Sequence, residues 1–479
     1  AWGTNLWFRV PVSRFRANHR ERIVGGGPMT PAAPVGRAAQ GHAALAAADP
    51  EDAAVTARLF TNVMIFDATG RAPLPGEVLV ERNRIRKIAE GGAPIARAEA
   101  AEVIDGQGMT LMPGMTEGHC HLSFIGVASP AELGETPPEE HTLGTMHNAR
   151  LLLDHGFTSV YAAASAKPRL DVVIRNEVDA GRIPGPRIRA ASPEITVTAG
   201  LGDERRLHLH RESFALIADG VDEIRRVCRM CIREGVDNLK INISGDEFVS
   251  HCKAEMTVMM DDEIRTAVEV AHDFGKQIAC HARAAGSVKR AVRHGVDVIY
   301  HCDFADDEAL DLLESVKDKV FVGPAVGLLH NTLYEAEAFG MTREVCESMG
   351  FYRKMEATKA TYREMRRRGI RVVPGGDYGF AWTPQGTNAR DLEHFVKLFG
   401  YSPTEALISA TRIGGELMAL GDELGQIREG YLADLLLVRG NPVQDVSILQ
   451  HRDRLAMIMK DGALHKLDLR PEAGQIAAE

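Results

Sequence analysis

The sequence predicts an α/β fold: a (β/α)8 TIM barrel with a small discontinuous β-sandwich domain built from the N- and C-terminal segments. Three observations predict it. Eight apolar strand patterns alternate with amphipathic helical patterns across residues 114–417. A glycine recurs where helices should end, as in DHGFTSV, RHGVDVIYH and RRGIRVVPGGD. Both flanks of that region, 55–113 and 418–479, carry short alternating β patterns instead. Residues 1–54 form an N-terminal extension expected to be poorly structured. It is arginine-rich at first, then rich in Ala, Pro and Gly with weak periodicity. Met29 reads as the natural start, with a transit peptide as the other reading.

The elements follow in order. Residues 57–67 (ARLFTNVMIFD), 76–89 (GEVLVERNRIRKIA) and 102–104 alternate between apolar and polar, with turn signals at Pro75-Gly76 and Asp105-Gly106. The barrel strands are expected at 110–121, 158–163, 187–191, 238–243, 277–281, 298–303, 320–326 and 371–377. Helices are expected at 142–155, 221–234, 261–274, 285–294, 306–313 and 342–368. Residues 425–439 and 455–466 return to a strand pattern, broken at Asn441-Pro442.

Composition excludes several classes of function. The chain has 479 residues, 45% hydrophobic and 25% charged, with net charge −10 and a pI near 6.0. An acidic balance argues against nucleic acid as a partner, and no apolar run is long enough for a membrane span. Seven cysteines, an odd number in a long chain, fit a reducing cytoplasm better than a disulfide scaffold. Cys228-x-x-Cys231 lies within a helical pattern and reads as two half-buried helix residues.

Chemistry concentrates at strand ends. His119 and His121 lie at i and i+2 on an extended segment (GHCH), so both imidazoles point to one face and suit a divalent metal. Lys240 (NLKINIS), His281 (QIACHA), His301 (VIYHCD) and Asp377 (VVPGGD) also fall at or near strand C-termini, where side chains converge on a barrel mouth. Lys240 is the odd one, because an unpaired buried lysine is costly. Carboxylation by carbon dioxide would turn it into an anionic oxygen ligand. Substrate binding is assigned to Arg205 and His210 in the loop RRLHLHRESF, to His251 and His330 in later loops, and to Arg283. The arginines of that first loop, Arg205, Arg206 and Arg211, suit a substrate carboxylate. Cys120, Cys280 and Cys302 neighbour ligands but should point away from the mouth.

This set of motifs resembles the amidohydrolase superfamily over residues 55–470, in the lead-in VIDGQGMTLMPGMTEGHCHL and the tail GQIREGYLADLLLV as well as in the ligand pattern. The branch it resembles holds Xaa-Pro dipeptidases, metal carboxypeptidases and ochratoxinase. The resemblance implies two divalent metal ions, zinc first among them. His119, His121 and Asp377 would hold one, His281 and His301 the other, with carboxylated Lys240 as the bridge. It also implies a homo-oligomer.

The expected activity is hydrolysis of an amide bond in an N-acyl amino acid or dipeptide, a small-molecule substrate. A metal-activated hydroxide would attack, with Asp377 as general base. The alternatives are a phenylurea- or carbamate-type hydrolase or a ring deaminase on the same metal site, and a non-catalytic assembly partner.

Overall fold

The computed structural model describes residues 57–92, 94–209 and 213–470. The expectations for residues 1–54, His210 and Arg211 lie outside the described residues.

The chain opens with β1 (Ala57–Ile65), β2 (Leu74–Glu81), β3 (Arg84–Glu90), β4 (Glu102–Asp105) and β5 (Thr110–Pro113). It continues through β6 (Met115–Cys120), β7 (Phe157–Ala162), β8 (Arg187–Arg189), β9 (Ala191–Thr196) and β10 (Leu216–Ile217). Then come β11 (Asn238–Asn242), β12 (Gln277–Ala284), β13 (Val298–Phe304) and β14 (Phe321–Gly323). The last strands are β15 (Leu435–Val438), β16 (Leu455–Lys460) and β17 (Ala463–Leu467). Helices Pro138–Asp154, Leu170–Asp179, Gly220–Arg233, Asp261–Asp273, Ala285–His294, Asp307–Ser315 and Phe351–Arg368 separate the middle strands from one another and from the last. The fold is α/β. Among the described residues no helix is long and apolar enough to cross a membrane.

Strands from both ends of the chain share one eight-stranded sheet, ordered β17-β16-β15-β5-β1-β2-β3 with β4 beside β1. Period-two alternation decides its two faces. Leu111, Leu435, Leu437, Met457 and Met459 pack into the sheet's own core with Phe60, Val78 and Ile85. Their neighbours Met112, Leu436, Val438 and Ile458 face the opposite way, into the large core shared with the parallel strands and helices.

The middle strands are parallel. β6-β7-β8 form one sheet, and β10-β9-β11-β12-β13-β14 form another. Residues 371–374 run between the two. Val373 N–H donates to Val322 O at 2.9 Å, and Pro374 O accepts from Gly118 N–H at 2.8 Å.

Several expected boundaries differ, each for a local reason. The run 110–121 is two strands in two sheets. Pro113 has no N–H to continue the ladder, and a Cβ at Gly114 would stand 2.1 Å from Thr158 Oγ1. The run 76–89 is a hairpin, β2 and β3, joined at Arg82-Asn83. The long helix expected at 342–368 breaks at Gly350, whose φ of +83° ends Arg343–Met349 and starts Phe351–Arg368. Residues 371–377 make a single bridge, Val322 with Val372, instead of a full strand.

Candidate metal centre and active-site cavity

The strand ends bring His119, His121, Lys240, His281, His301 and Asp377 around one cavity of about 440 Å³. All six are buried, from 1% exposed for His119 to 8% for Asp377. His119 lies in β6 and His121 follows it. Lys240 lies in β11, His281 in β12 and His301 in β13. Asp377 ends the 371–377 segment. Gly375 is needed there: a Cβ on it would meet His119 N at 2.4 Å.

Two of the six sit in left-handed backbone, His301 at φ +78° and Asp377 at φ +62°. Such residues cost about 1–3 kcal/mol each and collect at functional sites. At His301 the twist has a visible purpose. Strict alternation would place Tyr300 and His301 on opposite faces. Here both serve the interior. Tyr300 stacks under His119 at 3.7 Å between ring centroids, and its hydroxyl donates to Gly118 O at 2.8 Å. His301 meanwhile reaches the cavity.

The donor atoms are arranged as a cation would need them. His119, His301 and Asp377 each offer an atom within 4.8 Å of the others. Both nitrogens of His119 and Nδ1 of His301 are buried without a hydrogen-bond partner. His121 Nδ1 lies 3.1 Å from Ala164 O, so the tautomer that satisfies that carbonyl leaves a lone pair on Nε2. This Nε2 faces Asp377 Oδ1 at 3.0 Å, and a proton or a cation must separate the two lone pairs. His281 Nε2 donates to Gly245 O at 3.0 Å, which turns Nδ1 to the site. The residues present fit a divalent metal.

Electrostatics point the same way. Burial pushes the His119, His281 and His301 imidazoles well below their usual range, and for His281 and His301 the nearby Arg283 adds to it. They are neutral at pH 7, the form that ligates metal. Burial works to raise the Asp377 carboxyl, but His119 and His121 outweigh it and hold Asp377 far below the carboxylate range. The Lys240 ammonium lies 5.2 Å from the Tyr300 ring centroid, and among the described residues no carboxylate is within ion-pair distance of it.

The assigned substrate-binding residues fall in different places. His251 lines the cavity. Arg205 turns to Asp203, with Nε–Oδ1 at 2.8 Å, while the neighbouring Arg206 lines the cavity. Arg283 is not on the cavity wall. It is 4% exposed and held between Asp246 (2.7 Å) and Asp303 (2.5 Å), because a guanidinium this deep needs both carboxylates. His330 is also off the cavity, on helix Val326–Tyr334, with its ring 4.5 Å from that of His394. Burial, then His394, lowers it to about 4.

Sequence reading missed four residues. Glu117 shares the face of His119 and His121 by its i−2 spacing. Burial and then Asp391 push its carboxyl well up, and Asn388 donates to it. Tyr300 was hidden by the broken alternation. Asp246, in SGDEF after β11, and Glu194, within β9, both line the cavity. An aromatic wall completes it. Phe124 stacks on His121 at 4.1 Å, and Phe380 stacks on Trp382 at 5.3 Å.

Comparisons with known proteins give the chain its family. The amidohydrolase family model matches residues 110–464. Ochratoxinase of Aspergillus niger is 24% identical over 390 residues, spanning 74% of this chain and 75% of that protein. The crystal structure of an amidohydrolase superposes with a TM-score of 0.78 at 28% identity, covering 87% of this chain and 100% of its own. A Xaa-Pro dipeptidase with methionine bound in its active site superposes with a TM-score of 0.74 at 25% identity, covering 86% of this chain and 100% of its own. The chain therefore belongs to the amidohydrolase family, in the branch of ochratoxinase and the Xaa-Pro dipeptidases, and is a hydrolase of amide-type carbon–nitrogen bonds.

Proposed function

We propose that this chain is a metal-dependent amidase or peptidase that cleaves N-acyl amino acids or dipeptides. One observation carries the reading: unpartnered, neutral imidazoles surround Asp377 on the floor of an aromatic-walled cavity. His119, His121 and Asp377 would hold one divalent ion, zinc first among the candidates, and His281 and His301 a second. Lys240, carboxylated, would bridge them. Bound ions would supply Lewis acidity and a water that ionises near neutral pH. Asp377 takes the proton of the attacking water and returns it to the leaving nitrogen. Arg206, at the cavity wall, binds the substrate carboxylate. The Phe124, Phe380 and Trp382 rings exclude water from the reacting carbonyl.

A second reading keeps the site and changes the substrate to a phenylurea, a carbamate or a ring amine. One observation favours it. Among the described residues, the donors mutually within 4.8 Å come from three residues, His119, His301 and Asp377, as one ion would need.

Elemental analysis of protein purified without chelators tests both. About two ions per chain, with amino acid released from a panel of dipeptides and N-acyl amino acids, supports the first. About one ion, with ammonia or an amine released from ureas or ring amines, supports the second. No metal after reconstitution sinks both.

We read the parallel strands as one closed (β/α)8 barrel. The Gly118–Pro374 bond and the near-continuity of β8 and β9 through Ala190 support this. The eight-stranded sheet, folded over its own core, we read as the sandwich. The seven free, buried cysteines support a reducing cytoplasmic location. A homo-oligomer is proposed from the resemblance.

A further inference from the structure

Glu194 is a carboxylate of the cavity wall that, among the described residues, no cation balances. It is 7% exposed. Its Oε2 accepts a hydrogen bond from Asn242 Nδ2 at 2.7 Å. Among the described residues no lysine, arginine or histidine lies within ion-pair distance of it. Two other cavity carboxylates are matched: Asp203 by Arg205 and Asp246 by Arg283. A buried, unpaired carboxylate is unfavourable, and a ligand that brings positive charge relieves it.

The position narrows the ligand. Glu194 pairs with Lys240 in the parallel register of β9 and β11, and neighbouring strands lie about 4.8 Å apart. Glu194 therefore stands one strand away from a candidate metal ligand, next to where the scissile carbonyl must sit. In an aminoacyl amide the α-ammonium is one carbon from that carbonyl, whereas a side-chain ammonium is several carbons away.

We propose that Glu194 binds the α-ammonium of the substrate, so the substrate class is a dipeptide with a free amino terminus and not an N-acyl amino acid. This rests on the amidase reading above and narrows it. With Arg206 taking the carboxylate, the two ends of a zwitterion are matched.

The test uses the metal-loaded full chain and three substrates of one scaffold. These are a free dipeptide, its N-acetyl form, and an N-acetyl dipeptide with lysine first. The wild type should favour the free amine by about tenfold or more in kcat/KM. E194Q should cut that ratio by about the same factor, mainly through KM, and E194D should restore part of it. The proposal is overturned if the wild type cleaves the acetylated form equally well. It is overturned too if E194Q lowers both alike, or if the preference follows the lysine side chain. Calorimetric titration of wild type and E194Q with a free amino acid and its N-acetyl form adds a readout independent of turnover. Preference for the free amine in the wild type, lost in E194Q, supports the proposal; equal binding overturns it. If E194Q does not fold, E194A takes its place in both assays. Metal-loaded wild type that cleaves none of the three substrates refutes the amidase reading instead, and the titration still judges Glu194.

Discussion

Replacing Arg283 with methionine should cost several kcal/mol, and the cost should shrink in mild acid. The side chain is 4% exposed, so water cannot replace it. Its Nε donates to Asp246 Oδ2 at 2.7 Å and its Nη1 to Asp303 Oδ2 at 2.5 Å. Removing one partner of a buried pair costs about 3–5 kcal/mol. Protonation caps that penalty. Neutralising a carboxyl of ordinary pKa near 3.9 at pH 7 costs about 4 kcal/mol, at about 1.4 kcal/mol per pH unit. Thr358 Oγ1 still bonds Asp303, and Lys354 still faces Asp246, which keeps the loss near that of one orphaned carboxylate. The expected loss is therefore about 4 kcal/mol at pH 7. It should fall by about 2–3 kcal/mol at pH 5, where the orphan takes up its proton more cheaply. Urea unfolding of wild type and R283M at both pH values measures this. A loss below about 1 kcal/mol at pH 7, or the same loss at both pH values, would refute the account of Arg283 as a buried counter-charge.

Four further outcomes are expected. Wild-type Asp246 sits at about 2, because burial, which would raise it, is outweighed by Arg283 and then Lys354. Its contribution is thus present above the ordinary carboxylate range and lost as pH falls from about 4 toward 2, which acid unfolding followed by circular dichroism would register. Asp377→Asn should retain most metal but lose about 10²-fold or more in kcat, and near-normal turnover would remove its role as base. Lys240→Ala should bind less metal and recover partly with short carboxylic acids; unchanged metal content would take the bridge out of the scheme. Gly375→Ala should cost about 1–3 kcal/mol and lower metal content, since its Cβ would press on His119 N from 2.4 Å. An unaltered melting temperature would show that this contact yields freely.

The residues legible in the sequence are those whose evidence is local. His119 and His121 share a face because strand side chains alternate with period two. His281 and His301 close apolar runs, and Asp377 follows a Pro-Gly-Gly break, so each could be placed at a strand end without knowing its neighbours. The parallel strands and most helices were readable for the same reason: apolar periodicity and glycine caps report one face of one element. Boundaries failed where a distant residue decides them. Thr158 closes off position 114 and divides what reads as one strand between two sheets.

Tertiary structure alone decided which polar groups meet. Arg283 sits at the end of an apolar strand in a sequence that looks suited to a pocket, yet Asp246 and Asp303 from neighbouring segments claim it. Tyr300 and His301 both turn inward only because the backbone at 301 adopts a left-handed φ, which no periodicity announces. Glu194 gains its meaning from having, among the described residues, no cation within ion-pair distance. Local pattern carries which face a residue shows, because alternation is set by the chain itself. Charge balance belongs to groups brought together from remote strands, and those appear only once the strands stand side by side.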